Sequence, residues 1–431
     1  MDLAALRKRM ENCPCGKKHE CDLKALEVAH GNLEKTGEIL KKYGFPMHIL
    51  LVADKNSFMV TSGLTERLLG EGFLVQLRVY DDMKIARMEE VEEIKALCAG
   101  VDGVLSVGTG SVNDICRYGS YLADKPFAIF ATAPSMDGFA SDSAPIIING
   151  FKITCQCRQP QIIIADSAIL AQSPSELKAA GFGDMIAKFI AIADWRIANL
   201  VHGDYYCERV AEVVREAADK IVSLSGEISG NSEKAVEAVM EALALTGIAM
   251  QFVKLSRPAS GTEHIISHYW ECKKLERGLY SDYHGKKVGV ATLITADVYH
   301  KVAKMKNIKA HADHPDWDDI FKVYGPNLSK DVKRLNSPTI TDEIDPAIIT
   351  DNWDKICEII EEEIPSAEKL LGYYKAAGAA VEPAQIKVDK QLCDEGLKYH
   401  PYMRSRVTLA RIMPMCDLDF VGIYYSDKKQ D

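Results

Sequence analysis

Three histidines and an aspartate beyond residue 180 carry the side chains best suited to hold a metal ion. His264 and His268, in ASGTEHIISHYWE, stand four residues apart and share one face of a helix. His284 lies in YSDYHGKKVGVAT beside a glycine, and Asp184 lies in GFGDMIAK directly before an apolar stretch. One carboxylate and two imidazoles give a divalent cation three protein ligands and leave positions open for a substrate. Spacing does not choose which two of the three histidines bind. An i, i+4 pair can chelate one ion, and one member can equally donate a hydrogen bond to a ligand. Structural roles compete at each position: Asp184 can cap a helix, and helical histidines are commonly core residues satisfied by a carbonyl. His311 and His314, in AHADHPDW, form a rival pair whose acidic, loop-like surroundings predict exposure.

A different chemistry is written into residues 107–141, VGTGSVNDICRYGSYLADKPFAIFATAPSMDGFAS. An apolar run ends at Gly108-Thr109-Gly110, and an amphipathic helix is predicted from Val112 to Leu122. A strand, a glycine turn and a helix N-terminus make an anion site, because backbone N–H groups and the helix dipole point at the ligand. The glycines let the chain turn sharply and let a phosphate approach the backbone. A dinucleotide pyrophosphate is the expected guest. The spacing is neither GxGxxG nor the lysine-bearing P-loop, and a tight turn that binds nothing is the alternative. A third cluster, Cys13, Cys15, His19 and Cys21 in CPCGKKHEC, offers four soft ligands to zinc. It departs from the paired CxxC arrangement, and a reduced loop leading into the first helix is the competing reading.

The elements that must position these residues follow from periodicity. Residues 23–43 read as a helix, with apolar spacing of three and four. Apolar runs then alternate with helical segments: MHILLVAD, TERLLGEG, FLVQLRVYD, EEVEEIKALC, GVLSVG, the glycine-turn helix and FAIFAT. Such alternation predicts a mostly parallel sheet with helices on both faces. Two β-rich pieces then flank Asn149-Gly150, a hairpin turn signal, and QIIIAD returns as a strand. From about Ser173 the pattern is helical, GDMIAKFIAIADWRIAN being the first such stretch. The expected organisation is an extension (1–22), an α/β dinucleotide-binding domain (23–171) and an all-helical metal- and substrate-binding domain (172–431).

With 431 residues, 47% of them apolar, the chain can bury a large core. A net charge of −10 argues against a nucleic-acid partner. The N-terminus has no signal-peptide pattern, and no later segment reads as a membrane span. Most of the twelve cysteines, among them Cys98, Cys116, Cys207 and Cys357, sit in apolar or helical contexts. They read as reduced core thiols of a cytoplasmic protein.

Laid out in order, GTGSVND, FATAPSMDGFASDSAP, GFGDMIAK, SRPASGTEHIISH and HGKKVGVAT closely resemble the sn-glycerol-1-phosphate dehydrogenases, particularly the bacterial branch. These belong to the iron-containing alcohol dehydrogenase and dehydroquinate synthase-like superfamily, and the resemblance runs from about residue 24 nearly to the C-terminus. It implies a Rossmann-like α/β domain followed by an all-α domain. It assigns Asp184, His264 and His284 to the metal, leaves His268 facing the substrate, and gives Asp137 and Asp184 substrate contacts as well. Those two aspartates and His268 form the implied catalytic set. Cofactor positions map onto Gly108, Gly110, Ser111, Val112 and Asp114, then Thr132, Ser135 and Ser141.

Asp54, ending the strand ILLVAD, is expected near the adenosine ribose. A carboxylate there accepts hydrogen bonds from ribose hydroxyls and repels a 2′-phosphate, which favours NAD(H) over NADP(H). The implied reaction is reversible reduction of dihydroxyacetone phosphate to sn-glycerol 1-phosphate, supplying a glycerophosphate for lipids or related polymers. The donor set suits zinc or nickel, with iron a further choice, and a homodimer is expected. Lys188 and Arg257 are candidates for the substrate phosphate. The alternatives are a dehydroquinate synthase-like cyclase that uses NAD transiently and a dehydrogenase for unphosphorylated glycerol. Thr109 and Ser111 stand where many members of the superfamily carry more glycine, and the cysteine cluster lies outside the matching motifs.

Overall fold

The alternating runs of the first 166 residues fold into a parallel sheet in the computed structural model, which describes residues 1–148 and 151–428. Its strands are β1 (Ala25–Ala29), β2 (His48–Asp54), β3 (Leu74–Tyr80), β4 (Gly103–Gly108), β5 (Phe127–Ala131), β6 (Ser143–Ile148), β7 (Phe151–Gln156) and β8 (Ile162–Asp166). Six of them form one sheet in the order β1-β8-β5-β4-β2-β3, and β6 pairs with β7. Strands β4, β5 and β8 are buried along their whole length. This is why they read as continuous apolar runs and not as an alternation. Edge strand β3 leaves Leu74 and Leu77 exposed.

Three expectations need correction. Residues 23–35 are not helical: β1 pairs in parallel with β8, from Ala25 opposite Ile162 to Ala29 opposite Asp166. The helix begins only at Thr36. Apolar residues spaced over so short a stretch satisfy either period, and pairing with β8 decides the matter. Secondly, GDMIAKFIAIADWRIAN is not one helix but parts of two, Ser175–Ile186 and Lys188–His202. Thirdly, helix Glu233–Val253 is long and apolar enough to cross a membrane by length and composition, against the expectation that no segment approaches a span. Of its most apolar window, 78% is buried inside the protein, where it serves as a core helix. At Gly247 that helix approaches the Ala140 backbone so closely that a Cβ would lie 2.8 Å from the carbonyl carbon. The Asn149-Gly150 turn lies outside the described residues, but β6 and β7 pair antiparallel with Ile148 opposite Phe151.

The chain divides into two compact units. The first comprises Met1–Met185, Glu212–Leu255 and Ala376–Gly378, and the second Ile186–Ala211, Ser256–Lys375 and Ala379–Asp431. The first packs Ile49, Leu51, Leu105, Val107, Phe130 and Ile164 from its sheet into one core. The second buries Trp195, Trp270, Tyr269, Tyr299 and Tyr324 among helices.

Candidate active site

Within the first unit, the predicted cofactor residues gather at the carboxyl ends of adjacent parallel strands. Successive strands leave β2 in opposite directions, β3 to one side and β4 to the other. Open α/β sheets bind ligands in the crevice at such a switch point. Asp54 ends β2 and Gly108 ends β4, so both flank it. Gly108 has φ +156, and a Cβ there would press on Val112 at 3.2 Å, so glycine is required. Gly110, by contrast, has no atom within 4 Å of the place a Cβ would occupy. Helix Gly110–Leu122 starts after Thr109 with no side-chain cap, which suits an anion at its N-terminus.

Neighbouring residues have partners of their own. Asp54 caps helix Lys55–Val60, accepting the Ser57 amide at 2.8 Å. The Ser111 hydroxyl donates to the Lys84 carbonyl at 3.1 Å, and Val112 is buried. Thr132 follows β5 and donates its amide to the Gly108 carbonyl. Ser135 is buried, and the Ser141 hydroxyl lies 3.0 Å from that of Ser143. Asp114 pairs with Arg117 at 3.3 Å, yet burial raises its carboxyl to about 6, with Arg117 opposing the rise.

Arg117 is a positioning residue that sequence reasoning missed. Its buried guanidinium donates to the Gly138, Phe139 and Ser143 carbonyls at 2.7, 3.0 and 2.9 Å. It thereby ties the SMDGFAS loop to helix Gly110–Leu122. Asp137 in that loop donates its amide to Asp184 Oδ2 at 3.0 Å. Asp184 is fully buried in the last turn of helix Ser175–Ile186, which rules out the N-cap role.

In the second unit the three histidines converge. His264 and His268 share helix Thr262–Glu276, and His284 opens helix His284–Ala303. Ring centroids lie 5.3 Å apart for His264 and His284, 5.8 Å for His268 and His284, and 6.2 Å for His264 and His268. His264 Nδ1 sits 2.6 Å from Glu263 Oε1, and the same oxygen accepts the Gly261 amide at 2.9 Å. That bond assigns the proton to Nδ1 and leaves a lone pair on Nε2. Burial first, then the charge of Arg404, holds His268 well below its ordinary range, so its ring is neutral.

The candidate phosphate ligands are already committed. Buried Lys188 donates to the Ala259 carbonyl at 3.0 Å. Arg257 pairs with Asp204 and donates to the Val407 carbonyl. Arg404, unnoticed in the sequence, is exposed, and no hydrogen bond engages its guanidinium among the described residues. His311 and His314 stack in an exposed segment, His311 against Asp417. In the N-terminal cluster, Cys15 and His19 come together but Cys21 does not join them. Its thiol lies beside Arg7, where the chain turns back toward β1, and burial raises its pKa.

Comparison with known proteins adds an independent line. Residues 27–174 match the family model of the iron-containing alcohol dehydrogenases. A Geobacillus thermodenitrificans protein named glycerol-1-phosphate dehydrogenase (NAD(P)+) is 31% identical over 412 residues, covering 93% of this chain and 94% of its own. A Halalkalibacterium halodurans protein of the same name is 30% identical, covering 92% and 94%. Among solved structures, a probable glycerol dehydrogenase from Sinorhizobium meliloti superposes with a TM-score of 0.62 at 15% identity, covering 94% of this chain and 98% of that one. A Bifidobacterium kashiwanohense sulfoacetaldehyde reductase in complex with NAD+ gives 0.61 at 13% identity, covering 96% and 99%. Those structural likenesses establish the fold. Sequence identity of 30–31% along nearly the whole of both chains establishes more: this chain belongs to the glycerol-1-phosphate dehydrogenase (NAD(P)+) family.

Proposed function

We propose that the protein reversibly reduces dihydroxyacetone phosphate to sn-glycerol 1-phosphate, using a nicotinamide cofactor and one divalent metal ion. Family membership along 93% of the chain is the observation that carries this reading. The donor chemistry fits a metal. A fully buried carboxylate such as Asp184 calls for a cation or strong donors. An imidazole anchored through Nδ1 to a buried carboxylate, as His264 is, is the usual arrangement of a metal-binding histidine. We therefore assign Asp184, His264 and His284 to the metal, with zinc or nickel ahead of iron.

When bound, the metal supplies a Lewis acid for the C2 carbonyl and the reduced nicotinamide supplies the hydride. The chain's own residues do the rest. Backbone N–H groups of Gly110, Ser111 and Val112 hold the pyrophosphate, with Gly108 giving it room to approach. Thr132, Ser135 and Ser141 line the cofactor, and Asp114 braces that wall through Arg117. Asp54 takes the adenosine ribose and disfavours a 2′-phosphate, so NADH is preferred to NADPH. Asp137 and Asp184 orient the substrate hydroxyl, which selects the face of the carbonyl. His268, held neutral, relays a proton from solvent to the C2 oxygen, one ring nitrogen taking a proton from water as the other gives its own up. Arg404, whose charge already acts on His268, takes the substrate phosphate.

The reading extends to a cytoplasmic homodimer feeding lipid or related polymer synthesis. Leu74 and Leu77 on edge strand β3 offer apolar surface to a second copy, and sedimentation velocity measures the mass.

Following absorbance at the nicotinamide band in metal-loaded enzyme tests the reaction. NADH should be consumed with dihydroxyacetone phosphate about 10- to 100-fold faster than with dihydroxyacetone, the worth of a charged hydrogen-bond set. Arg404→Ala should remove most of that difference. No net consumption would favour the cyclase, and equal rates would favour a glycerol dehydrogenase.

A further inference from the structure

After helix Leu3–Met10 the chain runs to β1 without a regular element, yet the segment around it is firmly held. The Met1 ammonium pairs with Glu241. Arg9 pairs with Glu216 at 2.6 Å and reaches Glu212 at 3.5 Å. Arg7 donates to the Leu23 carbonyl at 2.5 Å. Between these ties, Cys13-Pro14-Cys15-Gly16 forms a tight turn closed by the Gly16 amide on the Cys13 carbonyl at 3.1 Å.

The turn gathers soft ligands. One ligand atom from each of Cys13, Cys15 and His19 lies within 4.8 Å of the others. His19 is buried, and its Nδ1 stands 2.8 Å from the Phe252 carbonyl oxygen, so Nδ1–H donates and Nε2 keeps its lone pair. That Nε2 lies 3.2 Å from Cys15 Sγ. Tetrahedral zinc, with bonds near 2.3 Å to sulfur and 2.0–2.1 Å to nitrogen, sets N and S about 3.6 Å apart and two sulfurs about 3.8 Å apart. The ligand spacing is compatible with those values. A histidine fixed through its second nitrogen to a backbone carbonyl is also how ligating histidines are oriented.

We propose that Cys13, Cys15 and His19 bind a zinc ion as its three protein ligands. Cys21, whose thiol lies beside Arg7, takes no part in this set. The ion would clamp the 11–24 loop and take no part in hydride transfer.

Cobalt substitution separates this site from the catalytic one, whose aspartate and histidines offer no sulfur. Cobalt-loaded protein should show a thiolate-to-cobalt charge-transfer band in the near ultraviolet. The band should persist in Asp184→Ala and vanish in Cys13→Ser/Cys15→Ser. Elemental analysis of zinc-loaded protein should fall from about two equivalents to about one in the double variant, with NADH oxidation retained. Should the double variant be insoluble, the cobalt spectrum of the unaltered protein decides alone. A wild-type spectrum without a thiolate band, or undiminished zinc in a soluble double variant, overturns the proposal.

Discussion

His264 Nδ1–H donates to Glu263, and Glu263 also receives the Gly261 amide, so the ring is fixed in one tautomer before any ligand arrives. Glu263→Gln keeps the shape but removes the charge that makes Nε2 a stronger donor. We expect metal affinity to fall about 10- to 100-fold, with activity restored at high metal concentration. A metal titration monitored by activity checks this, and an unchanged midpoint would refute the role. Glu263 was invisible in the sequence because adjacent helical residues do not ordinarily face each other. The three histidines were legible as a group, because i, i+4 spacing and a glycine-flanked third histidine are chemical oddities in amphipathic helices. Arg117 and Arg404 were not, since an arginine in a helix or loop reads as surface until its partners are known.

At the scale of elements, Gly181 sets where Asp184 lies. A Cβ at Gly181 would fall 1.9 Å from the Pro134 carbonyl oxygen, and Asp184 is three residues on, along the same face of helix Ser175–Ile186. Gly181→Ala must push that helix off the Thr-Ala-Pro-Ser turn and lengthen the bond from the Asp137 amide. Urea unfolding should show a loss of about 1–3 kcal/mol, and kcat should drop about 100-fold from misplacement alone. Wild-type kcat in this variant would show that the close approach does not matter to catalysis. Most strands were legible from their apolar runs. β1 was not, because its five residues gain their conformation from pairing with β8. The helix break at Ala187 was also hidden, since apolar residues continue through it.

Over the whole molecule, folding and protonation are linked through buried carboxylates. Asp194 is raised to about 6, chiefly by burial and further by Glu263, against donors from Leu409, Thr262 and Tyr299. The native state therefore binds this proton more tightly than the unfolded chain does. Its contribution is fully present below about pH 4 and is lost as pH rises through about 6. Stability of the wild type relative to Asp194→Asn should fall across that window, by on the order of 3 kcal/mol. Parallel stability curves for the two proteins would contradict it. The α/β half followed by helices could be read from the order of periods. How helix Glu233–Val253 joins the first unit could not, because which apolar faces meet is a property of the folded chain. The central claim concerns the product, and its chirality is the most direct measure. Metal-loaded enzyme given dihydroxyacetone phosphate and NADH should yield only sn-glycerol 1-phosphate, one molecule per NADH consumed. Formation of sn-glycerol 3-phosphate, of a racemate, or of no glycerol phosphate would contradict the account.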